Sequence, residues 1–265
     1  MLTLVRHALS GFASHQGFFL AAGLSFYSMI CVVPLLFLVV SLAGFILSKE
    51  SAARYVISQL TQIVPVYQQE ISAFLSQLVG SRRVSGILGT LILVLFSTQL
   101  FASIRLILNR ILEVKGRGFW RGMLFDCFMI VLISVFFFVN IGMITVYGWF
   151  QAELVPWGVP LRLWEWSWIG LGYLSSAAMF FLIYRFVPNR WMSTRSALIG
   201  ALVASLLWEV AKQLFRLYIQ AVGVYDKIYG PLGILMAMIM FIYYSGLVFI
   251  FGAELIRAAD PSVID

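Results

Sequence analysis

Ser205, Glu209, Lys212, Gln213, Arg216 and Gln220 recur at helical spacing through an otherwise apolar stretch. On an α-helix that spacing gathers them into one stripe. An ionisable group inside a bilayer costs on the order of 3 kcal/mol by insertion scales. One acid and two bases along a single face therefore call for a bundle interior or a wet cavity. Glu209 and Lys212 can pair at i, i+3, which leaves Arg216 as surplus positive charge suited to a phosphate or carboxylate. The competing reading of the stripe is an internal salt bridge that fixes helix packing.

Other polar positions are assigned by the same reasoning. Tyr225 and Tyr229 either anchor the chain at the membrane interface or line the outer mouth of the cavity. Gly230-Pro231 is turn chemistry, with Pro231 fitting the first turn of a helix. Gly230, Pro231 and Pro34 are candidate hinges, because proline removes a backbone donor and tends to kink a helix. Glu254 joins the candidate substrate-binding set of Glu209, Lys212, Gln213, Arg216, Tyr225 and Tyr229. Its local alternative is a pair with Arg257 at i, i+3. Gln99 and Asn140 suit interhelical hydrogen bonds, and Arg105 and Asp126 suit snorkelling at span ends.

Catalytic constellations do not emerge. No Gly-rich phosphate loop, HExxH or serine nucleophile elbow occurs. His7 and His15 are the only histidines, and their place near the N-terminus disfavours a Ser-His-Asp arrangement or a His/Cys metal site. Cys31 and Cys127 lie far apart in apolar runs, with no CxxC. No enzyme activity, cofactor or metal is expected.

The elements that position these residues follow from composition. The 265 residues are 62% hydrophobic and only 11% charged, against roughly half and a quarter in soluble domains. The fold class expected is all-α, a polytopic membrane helical bundle forming a single integral membrane domain over 1–265. A spanning helix needs about 20 apolar residues, and the predominantly apolar runs place six transmembrane helices at about 26–47, 84–104, 127–150, 167–184, 196–221 and 231–256. The first 24 residues read as a short helix entering from the interface, not as a cleaved signal. Residues 49–83 carry amphipathic helices of the first external loop. Ile71, Phe74, Leu75, Leu78 and Val79 form one apolar face there. Trp157, Trp164 and Trp166 mark an aromatic belt.

Net charge is +7, and its distribution sets orientation. Ten Lys and Arg residues, at 6, 105–121, 185–195 and 257, fall on the side of both termini. Only Arg162 and Lys227 fall in the short opposite loops, with four more in 49–83. Both termini are expected to be cytoplasmic. The basic 105–121 loop could hold anionic headgroups, although the positive-inside rule alone accounts for it.

Three stretches carry a family resemblance. The first is Ala22-Gly23-Leu24-Ser25-Phe26-Tyr27-Ser28-Met29, continuing to Pro34-Leu35. The second is Tyr184-Arg185-Phe186-Val187-Pro188-Asn189-Arg190, followed by Gly200-Ala201 and Trp208-Glu209. The third is Tyr218, Tyr229-Gly230, Leu232-Gly233 and Gly252-Ala253-Glu254. Over roughly 20–256 the chain resembles the YihY/virulence factor BrkB family of bacterial inner-membrane proteins, once mislabelled as ribonuclease BN. One departure is Cys31, where the family pattern has Ser, a stronger hydrogen-bonding group. The resemblance implies a six-span inner-membrane protein linked to the cell envelope, with transport of an envelope lipid or other anionic amphiphile as the usual suggestion. A ribonuclease would need a metal site or a general base facing RNA, and basic loops give only non-specific phosphate attraction.

Function is therefore expected to be that of a transporter or flippase-like protein using the charged stripe of the fifth span. The alternative is a non-transporting envelope scaffold that organises lipid through 49–79 or 105–121. Membrane lipids, anionic headgroups among them, are the expected partners. No nucleic acid is expected, and a homo-oligomer is left open.

Overall fold

The computed structural model describes the backbone of residues 2–46, 82–114, 122–125, 128–130, 132, 161–190 and 192–260. Side chains are described for 3–31, 91–92, 94–114, 122–125, 128–130, 132, 170–190, 192–218 and 236–260. The amphipathic segment 49–83 up to residue 81, most of the expected span 127–150, the 151–160 turn and the basics of 115–121 lie outside the described residues. So do the side chains of Pro34, Gln220, Tyr225, Tyr229 and Pro231.

The described elements are helical: α1 (Leu2–Ser14), α2 (Gly17–Ile46), α3 (Arg82–Ile111), α4 (Leu161–Phe186) and α5 (Thr194–Ala259). Among the described residues three segments are long and apolar enough to cross a membrane: Val94–Ile111, Thr194–Tyr218 and Met236–Ala259. A shorter apolar helical run covers Gly17–Cys31. Leu106, Phe19 and Leu95 are among the large apolar side chains left exposed, as a lipid-facing surface requires.

Helix ends differ from the sequence expectation for local reasons. The N-terminal helix stops at Ser14 because Gln16 adopts a left-handed conformation (φ 56°). An edge contact between Phe12 and Phe18, at 5.1 Å between centroids, closes the corner. Helix α3 continues past the expected end at 104. It finishes in a Schellman turn, in which the Val114 N–H donates to the Asn109 carbonyl at 2.9 Å and the Glu113 N–H to the Arg110 carbonyl at 3.4 Å. Glu113, not glycine, takes the left-handed position there (φ 53°).

Helical backbone runs through the whole of α5, Gly230 and Pro231 included, where the sequence suggested a non-helical turn. Proline's fixed φ is compatible with helical backbone. The chain nevertheless reverses between Tyr218 and Met236. Phe215 and Phe241 have ring centroids 4.6 Å apart, whereas 26 residues of straight helix would separate them by about 39 Å. The two arms thus stand as antiparallel neighbours, matching the fifth and sixth expected spans.

The chain divides into two compact units. The first comprises Met1–Leu20, Phe101–Glu209 and Leu247–Asp265. Its core buries Leu108, Ile111, Leu112, Val187, Ile250, Leu255 and Ile256 around Tyr184. The Tyr184 hydroxyl donates to the Phe249 carbonyl at 2.7 Å, and its ring stacks on Phe180 and Phe249. Helix–helix contact in a bilayer depends on small residues that let backbones approach. Gly200 and Gly252 do so here, since a Cβ on Gly200 would meet Ile256 and the Gly252 carbonyl, and one on Gly252 would meet Tyr184 and Ala204. Ser193 caps α5 by accepting from the Ser196 N–H, while its own N–H donates to Asp260 at 3.1 Å. Those bonds tie the two ends of α5 together.

The second unit comprises Ala21–Leu100 and Val210–Gly246. Ser25 donates to the Ala21 carbonyl at 2.6 Å and lies 3.3 Å from the Ile242 carbonyl. Cys31 is buried, and its thiol is free of any disulfide.

Candidate functional site

The charged stripe is distributed over the first arm of α5. Ser205 is buried and donates to the Leu202 carbonyl at 2.9 Å. Glu209, in the first unit, is half-buried and accepts from the Ser176 hydroxyl of α4 at 3.5 Å. Lys212, in the second unit, is half-buried, whereas Gln213 and Arg216 are exposed. The backbone at Gln220, Tyr225 and Tyr229 is helical.

Between the two arms in the second unit lies a groove of about 310 Å³, lined by residues such as Ala211, Phe215, Tyr218, Met240 and Phe241. None of the stripe residues lines it. At about 100° per residue, Lys212, Gln213 and Arg216 sit roughly 100–200° around the helix from Ala211. An anion held by Lys212 and Arg216 would therefore lie outside the groove between the two arms of α5.

A second polar site, unforeseen from sequence apart from Glu254, lies in the first unit where α1 meets the end of α5. A cleft of about 380 Å³ is lined by His7, Ser10, Gly11, Ser14, Glu254 and Arg257 together with Ala258. His7, Ser10, Gly11 and Ser14 fall at i, i+3, i+4 and i+7, so one face of α1 supplies them. Glu254 is 1% exposed. Its Oε1 accepts from His15 Nδ1 at 2.7 Å, so a buried carboxylate has a charge-capable partner. Gly11 makes this approach feasible, because a Cβ there would overlap the Glu254 carboxylate.

The local pair expected between Glu254 and Arg257 is replaced by two longer-range ones. Glu254 turns to His15, and Arg257 Nη2 bonds to Glu113 Oε1 at the end of α3. Residues at i, i+3 are neighbours on a helix, but here each is nearer to a different packed element. The spacing of His7, Ser10 and Ser14 was the available sequence signal. The His15–Glu254 pairing, 239 positions apart, left none.

The family described as Virulence factor BrkB matches residues 8–262. The chain is 30% identical to a UPF0761 membrane protein of Rhodospirillum centenum (strain ATCC 51521 / SW), covering 95% of this chain and 56% of that relative. It is 31% identical to a UPF0761 membrane protein of Tolumonas auensis (strain DSM 9187 / NBRC 110442 / TA 4), covering 89% and 78%. A UPF0761 membrane protein of Pseudoalteromonas atlantica (strain T6c / ATCC BAA-1087) is 26% identical, covering 92% and 82%. The chain thus spans little more than half the length of the first of these relatives. No solved structure matches. With the apolar helices, the buried polar pair and a match over nearly its whole length, the chain belongs to the Virulence factor BrkB family of membrane proteins.

Proposed function

We infer that the protein is a transporter or flippase-like protein of the bacterial inner membrane, with both termini cytoplasmic. Its cargo is an anionic envelope lipid or amphiphile. One observation carries this reading: Lys212 and Arg216 stand one turn apart on a segment that is otherwise long and apolar enough to span a bilayer, and Arg216 is exposed. Cations at such a depth are expensive. A passing phosphate or carboxylate headgroup offsets that cost through charge-assisted hydrogen bonds, and an arginine fork suits it best.

The test is lipid movement in proteoliposomes with labelled anionic and zwitterionic phospholipids. Movement by the wild type that is faster for anionic lipid and lost in Arg216→Ala supports the reading. Movement no faster than in empty liposomes, with or without an ion gradient, refutes it for phospholipid cargo.

A further inference from the structure

The cleft between α1 and the end of α5 gathers an acid, a guanidinium, an imidazole and hydroxyls into one concavity. Glu254 is the buried anion. A carboxylate offers about four acceptor positions, and His15 takes one on Oε1. Oε2 points towards Gly11, the residue that lines the cleft without a side chain. Arg257 and His7 line the same cleft. Arg257 is tied to Glu113 through Nη2, and a guanidinium carries five N–H donors. His7 bonds the Thr3 carbonyl through Nδ1 at 2.8 Å, which directs its Nε2 elsewhere. Ser10 and Ser14 add hydroxyls; Ser14 donates its own proton to the Gly11 carbonyl and keeps acceptor capacity.

Depth narrows the ligand further. Glu254 stands five residues before the end of the Met236–Ala259 apolar segment, or about 7.5 Å along the helix axis. That is the level at which hydrocarbon gives way to headgroups. Helix α1 carries exposed Val5 and Leu9 beside its polar face, as a helix lying in the interface does.

We propose that this cleft binds a zwitterionic amino-phosphate headgroup of the phosphoethanolamine type. The primary ammonium donates to Glu254 Oε2, and the phosphate accepts from Arg257 and from Nε2–H of the His7 imidazolium. The charged and titratable groups lining the cleft are His7, Glu254 and Arg257, with His15 paired to Glu254 and Glu113 to Arg257 behind them. Their mixed signs favour a zwitterion over a bare anion, which Glu254 and Glu113 would repel. A choline headgroup has no N–H to give the carboxylate and binds less well. This site is independent of the transport reading, since it needs no movement of lipid.

The experiment is equilibrium binding to the purified full chain in neutral detergent. Short-chain phosphatidylethanolamine, phosphatidylcholine and phosphatidylglycerol are titrated, and free phosphoethanolamine serves as competitor. Two variants accompany the wild type. Glu254→Gln keeps the His15 hydrogen bond and removes the charge. Ser10→Phe fills the cleft without touching either ion pair. The expected result is at least tenfold preference for phosphatidylethanolamine over phosphatidylglycerol, lost about tenfold in Glu254→Gln, as one charge-assisted bond predicts, and lost in Ser10→Phe. Displacement by free phosphoethanolamine assigns the ligand to the soluble pool, and displacement by the lipid alone assigns it to the membrane; both support the site. Equal binding of the two lipids, or binding unchanged in both variants, overturns the proposal.

Discussion

Replacing His15 with alanine tests what holds α1 against the end of α5. Glu254 is 1% exposed and His15 donates to it at 2.7 Å. Breaking a buried charged pair by deleting one partner costs about 3–5 kcal/mol, because the other charge is left uncompensated. His15 is itself partly exposed, so water entering the space of the lost ring moves the figure to the lower end, about 3 kcal/mol. For a chain of this size each kcal/mol shifts the melting midpoint by about 2 °C, so His15→Ala should melt about 6 °C lower. The eight tryptophans provide a fluorescence signal, read at one fixed scan rate because membrane-protein unfolding is often irreversible. Glu254→Gln alone should cost under about 1.5 kcal/mol, since the amide oxygen still accepts from His15. The double variant should recover most of the His15→Ala loss, the coupling expected of residues in direct contact. A midpoint within about 1 °C of wild type for His15→Ala, or additive losses in the double variant, would refute the reasoning.

Further outcomes follow from the packing. Gly252→Val forces side-chain atoms into Tyr184 and Ala204 and should destabilise by about 1–3 kcal/mol, visible as a lower melting midpoint. Tyr184→Phe keeps the stacked ring and loses only the bond to the Phe249 carbonyl, an expected loss of about 1 kcal/mol by the same assay. Glu113→Gly relieves a left-handed φ of 53° while deleting an exposed ion pair worth at most about 1 kcal/mol. It should therefore melt near wild type, and Glu113→Ala, with the strain retained, should melt about 2 °C lower than Glu113→Gly.

Much of the architecture was legible because it rests on periodicity. The apolar runs over 196–221 and 231–256 correspond to the two apolar arms of α5, and the 3.6-residue period placed Lys212 and Arg216 on one face. The period also put that face away from Ala211, whereas the close backbone approach at Gly200 and Gly252 in the first unit was announced by no spacing. Arg105 looked like the end of a span, yet α3 continues beyond it. The guanidinium lies where a Cβ on Gly122 would stand, an accommodation that depends on tertiary packing. Glu254 was singled out as a membrane carboxylate. Its true partner was hidden because the sequence supplies a local alternative, Arg257, and the structure instead satisfies each group with a distant one. Histidines near the N-terminus argued against catalysis and thereby drew attention away from the contact that His15 makes.

The central claim is that Lys212 and Arg216 form the path of an anionic amphiphile, and a charge series at position 216 tests it most directly. Wild type, Arg216→Lys and Arg216→Gln, reconstituted at matched density and orientation, are assayed for transbilayer movement of labelled phosphatidylglycerol. A graded loss is expected, partial in the lysine variant, which keeps charge without the bidentate fork, and near-complete in the glutamine variant, with melting midpoints unchanged. Equal movement in all three, or loss of movement only where the protein no longer folds, would contradict it.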